Sequence, residues 1–148
     1  MSAPYKSKSI ATWLALGLGS LGLHRFYVYG PKDRFAWLHP VPTLVGLYGL
    51  QRMDQLGQDD RLAWVLIPWL GLMLAAPMLN GIVWGLTPDE KWDAQHNPGL
   101  EGRRSGWGAI IPTVLCLMVG GAALMSTLAF SAQRYFESQT EAAQEISQ

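Results

Sequence analysis

The chain has 148 residues, about one domain's worth, of which 15 % are charged and 49 % hydrophobic, where a soluble domain carries about a quarter charged. Its formal net charge is zero, so no global field recruits nucleic acid. The single cysteine, Cys116, excludes an internal disulfide and a cysteine-based zinc site.

The apolar residues arrive in blocks at 10–23, 35–50, 62–86 and 107–131, with the charges confined between them. The last two are long enough to cross a bilayer, for which about 20 apolar residues suffice. The first spans only if it extends to Tyr27, with His24 and Arg25 both at the interface and snorkelling outward. Its rival reading is a cleaved signal peptide, since Lys6 and Lys8 precede it and Gly17-Leu18-Gly19 offers a small-residue site. Trp37, Trp64, Trp84 and Trp107 stand near block edges, where amphipathic rings suit the headgroup layer.

Along the first block Ala11, Ala15, Gly19 and Gly22 share one helical face, and Pro42, Gly46, Gly49 and Met53 do the same along the second. In lipid, close approach over small residues is the main source of packing energy, so these stripes are expected to face each other. The turn at 30–34 then makes the first two helices a tight antiparallel hairpin. A short polar link follows at 54–61. The third block carries Gly81 and Gly85 at GxxxG spacing, the fourth carries Gly121, Ala122 and Ser126, and Pro68, Pro77 and Pro112 are expected to kink their helices.

The loop 87–106 opens on Thr-Pro-Asp-Glu, a capping-box pattern with Thr87 as N-cap, Pro88 in the first helical position and Glu90 reaching back. It predicts an interfacial helix near 88–96. Beyond 131 the polar, acidic sequence continues the fourth helix into water as a tail, 132–148, and frays. No internal repeat is read.

These features predict an all-α, polytopic helical membrane protein with about four transmembrane helices. It divides into a two-helix hairpin (1–57), two further spans with their loop helix (58–131) and the tail (132–148). The expected location is multi-pass in the plasma membrane, or in the inner membrane if the source is bacterial. On that topology Lys6, Lys8, Arg52, Arg61 and Arg134 lie on one side, and Arg25, Lys32, Arg34, Lys91, Arg103 and Arg104 on the other, which gives no positive-inside bias.

The charged stretch "GSLGLHRFYVYGPKDRF" ends the first block. Read residue by residue it is an interface girdle: Arg25 for lipid phosphate, Tyr27 and Tyr29 for the headgroup layer, Phe26 for hydrocarbon. Gly22, His24, Arg25, Phe26 and Tyr27, together with Asp54, resemble the motif of the TM2 domain family. In that family a lysine-flanked helix rich in small residues ends in G-x-[HD]-R-F-Y-L-G, followed by a second helix closed by aspartate. The resemblance covers about residues 6–54; Val28-Tyr29 replace the family's Leu-Gly, and Pro40 and Pro42 interrupt the second helix. It implies a two-helix membrane module with no common catalytic activity.

Several polar groups are candidate sites. His24 and Arg25 suit either a partner or headgroup site or simple anchoring. Asp54 is expected to pair with Lys8. His39 and Asn80 lie nearest mid-membrane, where hydrogen bonding between helices is commoner than a proton pathway. Asp89, Asp93 and His96 have the spacing of a weak divalent site, although a solvated helix face uses the same spacing more often. Ser126 and His39 have nothing around them that supports a nucleophile–base pair, and no HExxH, P-loop or GxSxG occurs.

The sequence therefore points to a non-catalytic interaction or regulatory module without cofactor or metal. Helix packing runs through Ala15, Gly19, Gly46, Gly49, Gly81 and Gly85, and the HRFY motif lies at the interface. Its partners are the lipid bilayer and either another membrane protein or a second copy. The alternative is a small transporter or channel subunit for a neutral solute.

Overall fold

The computed structural model describes residues 4–146 and, among these, only helices and their connections. They are α1 (Lys8–Leu18), a 3-10 turn (Gly19–Leu21), α2 (Leu23–Tyr29), α3 (Arg34–Leu38), α4 (Pro40–Leu56), α5 (Arg61–Leu86), α6 (Asp89–His96) and α7 (Trp107–Ile146). Two of them, α5 and α7, are long and apolar enough to cross a membrane.

The antiparallel pair α5 and α7 forms the spine. Their contact is made by small residues taking partner side chains: Gly71 lies against Thr127, Gly85 against Thr113, and Gly120 against Met78. Each threonine hydroxyl donates to its own helix, Thr113 to the Ala109 carbonyl at 2.6 Å and Thr127 to the Ala123 carbonyl at 2.7 Å. The polar atoms are thus satisfied within α7, and the side chain is left free to pack on glycine. Gly81 meets both Cys116 of α7 and Ala15 of α1, so three helices converge there.

The first apolar block does not form one spanning helix. After α1 and the 3-10 turn, Gly22 adopts φ 81°, ψ 2°, a left-handed conformation that ends the run and reverses the chain. A Cβ there would strike the Ala36 carbonyl of α3. The helix α2 consequently runs back toward the start of α1, where the Ser7 N–H donates to the Tyr27 hydroxyl at 2.8 Å and the Lys6 ammonium to the Val28 carbonyl at 2.5 Å. The expected hairpin of two full-length spans is thereby corrected. Glycine in a small-residue stripe was read as a packing surface, and here one of them is a hinge.

The two small-residue stripes do not face each other either; both lie on α5. Ala15 and Gly19 of the first meet Gly81 and Pro77, while Gly46 and Gly49 of the second meet Leu70 and Leu66. The segment from α1 through the 3-10 turn covers the carboxyl-terminal half of α5 and α4 the amino-terminal half. Thr43 joins the two pieces by donating to the Ser20 carbonyl at 2.8 Å. The α2–α3 hairpin is a short excursion inserted between them.

An internal repeat is present, contrary to the sequence reading. Residues 19–37 and 46–64 share G-x-x-G-L-x-R-x-x-x-x-G-x-x-D-R-x-A-W. The structure repeats with the sequence. Gly30 (φ 84°) and Gly57 (φ 94°) end α2 and α4, their N–H groups donating to Phe26 and Met53 carbonyls at 2.9 and 3.0 Å. Asp33 and Asp60 cap the following helices, and each is held by the arginine eight residues earlier, Arg25 at 2.7 Å and Arg52 at 2.8 Å. Trp37 and Trp64 donate their indole N–H to carbonyls six residues back, Pro31 at 2.9 Å and Gln58 at 2.7 Å, and Ala36 and Ala63 are fully buried. The first turn lies at the α6 end, where Tyr29 stacks on His96, and the second at the opposite end, beside the Arg61–Glu141 pair. The two copies are therefore inverted.

Thr87, expected to cap α6, instead closes α5. Its N–H donates to Val83 and Trp84 carbonyls at 3.1 Å, its hydroxyl donates to Val83 at 2.7 Å, and Pro88 precedes α6 without a side-chain cap. Beyond 131 the chain is helical as far as Ile146.

Candidate functional site

The motif residues point inward. His24 is fully buried, with its ring 5.2 Å from that of His39 and 5.5 Å from Trp84, and its Nε2 lies 3.3 Å from the Asn80 side-chain nitrogen. Gly22, which turns the chain, places this histidine over α5. Arg25 reaches back to Asp33 and lies over the Tyr29 and Phe35 rings, while Phe26 stacks edge-on against Trp37 at 4.9 Å. Tyr27 holds the Ser7 N–H. Each of these side chains is engaged within the chain, so the motif acts as the clasp of the α2–α3 excursion.

Above it sits a polar cap built from the amino-terminal strap 5–8, α6 and the loop after it. The Trp92 indole is buried and donates to the Lys6 carbonyl at 2.8 Å, and Asn97 brackets Lys6, accepting its N–H at 2.7 Å and donating to its carbonyl at 3.1 Å. Tyr5 donates to Asp93 at 2.7 Å. The Lys8 ammonium, 6 % exposed, pairs with Asp89 at 2.6 Å and donates to the Thr87 carbonyl at 2.7 Å. Asp89 also accepts from the Ser105 N–H and hydroxyl. Beneath the cap Ala11, Val28, Trp84 and Trp92 form an apolar cluster against which Tyr27 packs.

Lys8 therefore has Asp89 as its partner, and the expected Asp54–Lys8 pair is not formed. Asp54 is exposed near the end of α4, at the opposite end of the molecule from the strap. Asp54→Asn is accordingly expected to change stability by under about 0.5 kcal/mol. Asp89→Asn, which strips a buried ammonium of its counter-charge, should cost about 2 kcal/mol by denaturant titration in detergent.

The cap carboxylates titrate low. Burial pushes Asp89 and Asp93 upward, but the Lys8 ammonium and Ser105 donors on one, and Tyr5, Asn97 and the Arg103 N–H on the other, outweigh it and hold both below the ordinary carboxylate range. Tyr5 moves the other way, to about 12, through burial and then its bond to Asp93. Because the folded carboxylates bind protons less readily than the unfolded ones, their contribution is full above about pH 4 and is lost as pH falls through the depressed folded values. Acid titration followed by the amide NMR signals of α6 should show the cap loosening only at that limb.

Among the described residues no group of three or more histidine, cysteine, aspartate or glutamate side chains is placed to hold a metal. Asp89 and Asp93 are instead engaged with the strap and loop, and His96 stacks on Trp92 at 4.3 Å. Sequence reasoning missed Trp92, Asn97 and Tyr5, since α6 read as a solvated face. The one signal was a tryptophan in an otherwise polar helix.

No protein-family model matches the chain, and no curated protein and no solved structure was found to be similar to it. The TM2 resemblance thus rests on the motif residues themselves.

Proposed function

We propose that the chain is an integral membrane protein of the TM2 type, acting non-catalytically by lateral association in the bilayer. The observation that carries this reading is the exposure of the spine. The most apolar windows of α5 and α7 are only 17 % and 22 % buried, whereas the core helix of a soluble domain would be mostly covered. Leu79, Val83, Leu117, Met118 and Met125 all face outward. On this reading α1 and α4 together make one broken crossing, with α2–α3 as a short hairpin whose break at Gly22 is buried against Ala36, and α5 and α7 make two more.

The outward side of α5 and α7 carries an apolar groove of about 360 Å³ lined by Leu72, Ala76, Leu79, Leu117, Gly121 and Leu124. Small residues in its floor suit the close approach of a neighbouring transmembrane helix. The motif contributes by fixing the fold that presents this groove. The test is a photo-reactive residue at position 121 in native membranes. A protein adduct with a mapped cross-linked peptide, absent when the probe sits at Leu44, supports the reading, and lipid adducts alone contradict it.

A second reading, transport of a neutral solute, is favoured by one feature. Inverted repeats with interrupted helices frame the buried His24–Asn80 contact, an arrangement in which transporters place their sites. Solute flux in vesicles reconstituted with the purified chain separates the two.

A further inference from the structure

We propose that the α6 end of the molecule is its cytoplasmic face, seated against anionic lipid headgroups, and that the acidic extension of α7 projects from the opposite face. This rests on the membrane reading above. The repeat makes the two ends alike, since each has a glycine turn, an aspartate cap and an arginine clasp, so orientation must come from the residues the repeat does not share.

Those residues are unequally divided. The strap, the α2–α3 turn, α6 and its loop bring Lys6, Lys8, Arg25, Lys32, Arg34, Lys91, Arg103 and Arg104 to one end, leaving Arg52, Arg61 and Arg134 at the other, which accounts for all 11 basic residues. The balance of five against six expected for four spans assumed that Arg25, Lys32 and Arg34 lay across the membrane from Lys6 and Lys8. The reversal at Gly22 returns them to the same end, as the Lys6–Val28 and Ser7–Tyr27 bonds show.

Retention of short basic loops on the cytoplasmic side depends on lysine and arginine rather than on net charge, so the Lys8–Asp89 and Arg25–Asp33 pairs do not cancel the bias. Anionic lipids of that leaflet add attraction to basic side chains at its surface. At the far end Glu137 and Glu141 follow Arg134 along the extension, and only three basic residues stand there against transfer.

Single cysteines at Glu101 and Gln139 would be probed with a membrane-impermeant maleimide in intact and permeabilised cells. Cys116 is buried and provides the background. The expected result is labelling of Gln139→Cys in intact cells and of Glu101→Cys only after permeabilisation. The reverse pattern overturns the proposal, and so does labelling of both from the same side. The combined change Lys32→Gln, Arg34→Gln, Lys91→Gln, Arg103→Gln and Arg104→Gln, all at exposed positions, leaves Lys6, Lys8 and Arg25 against Arg52, Arg61 and Arg134 and should abolish the asymmetry; an unchanged pattern also overturns the proposal. Carbonate extraction keeps the two failures apart, because a chain released by carbonate contradicts membrane insertion itself.

Discussion

Gly22→Ala is expected to dislodge the α2–α3 hairpin, with a loss of about 3 kcal/mol or more, because two costs fall on one atom. An L-residue at φ 81° is strained by about 1–2 kcal/mol. The added Cβ also meets the Ala36 carbonyl, a backbone atom that cannot rotate away, and overpacking of this kind costs about 1–3 kcal/mol. Gly17→Ala is the control, since a Cβ there meets nothing within 4 Å, and it should stay within about 0.5 kcal/mol. The comparison is made by thermal unfolding in detergent, and the loss should also free the Tyr27 hydroxyl from Ser7.

Trp92→Ala should release α6 from the strap. The indole is 2 % exposed and stacks on Trp84 at 6.0 Å and His96 at 4.3 Å, so truncation should cost about 3–5 kcal/mol. Trp92→Phe keeps most of the volume and removes only the bond to the Lys6 carbonyl, which Asn97 still serves, so it should cost about 1 kcal/mol. Hydrogen exchange of the 89–97 amides checks both. Fast exchange in the alanine variant with near-normal protection in the phenylalanine variant is the expected pattern, and equal exchange in the two would mean that packing is not what holds α6.

What the sequence disclosed follows from what each signal measures. Long apolar runs report α5 and α7 because hydrocarbon thickness sets a length that no loop imitates. The hinge at Gly22 was hidden because a glycine in a glycine-rich helix has the same neighbours whether it packs or turns; only its φ and the Ala36 carbonyl distinguish the cases. The repeat escaped because its shared residues are spaced by variable ones, His24 standing where the second copy has Gln51 and Lys32 where it has Asp59. Thr113 and Thr127 carry no pattern in the sequence that marks them, although each fills a glycine notch while its hydroxyl bonds within α7. The motif residues were legible as a cluster but not in direction: Arg25 and Tyr27 have the chemistry of a lipid girdle, and the nearby Asp33 and Ser7 use that chemistry internally.

The chain turns back at Gly22, so that the HRFY segment ends beside the strap at Lys6 and Ser7. Spin labels at Pro4 and Lys32 in the reconstituted protein measure this by double electron–electron resonance. The expected separation is well below the hydrocarbon thickness of about 30 Å. A distance of about 30 Å or more would mean that the first apolar block crosses the bilayer as one helix and that the chain does not turn back at Gly22.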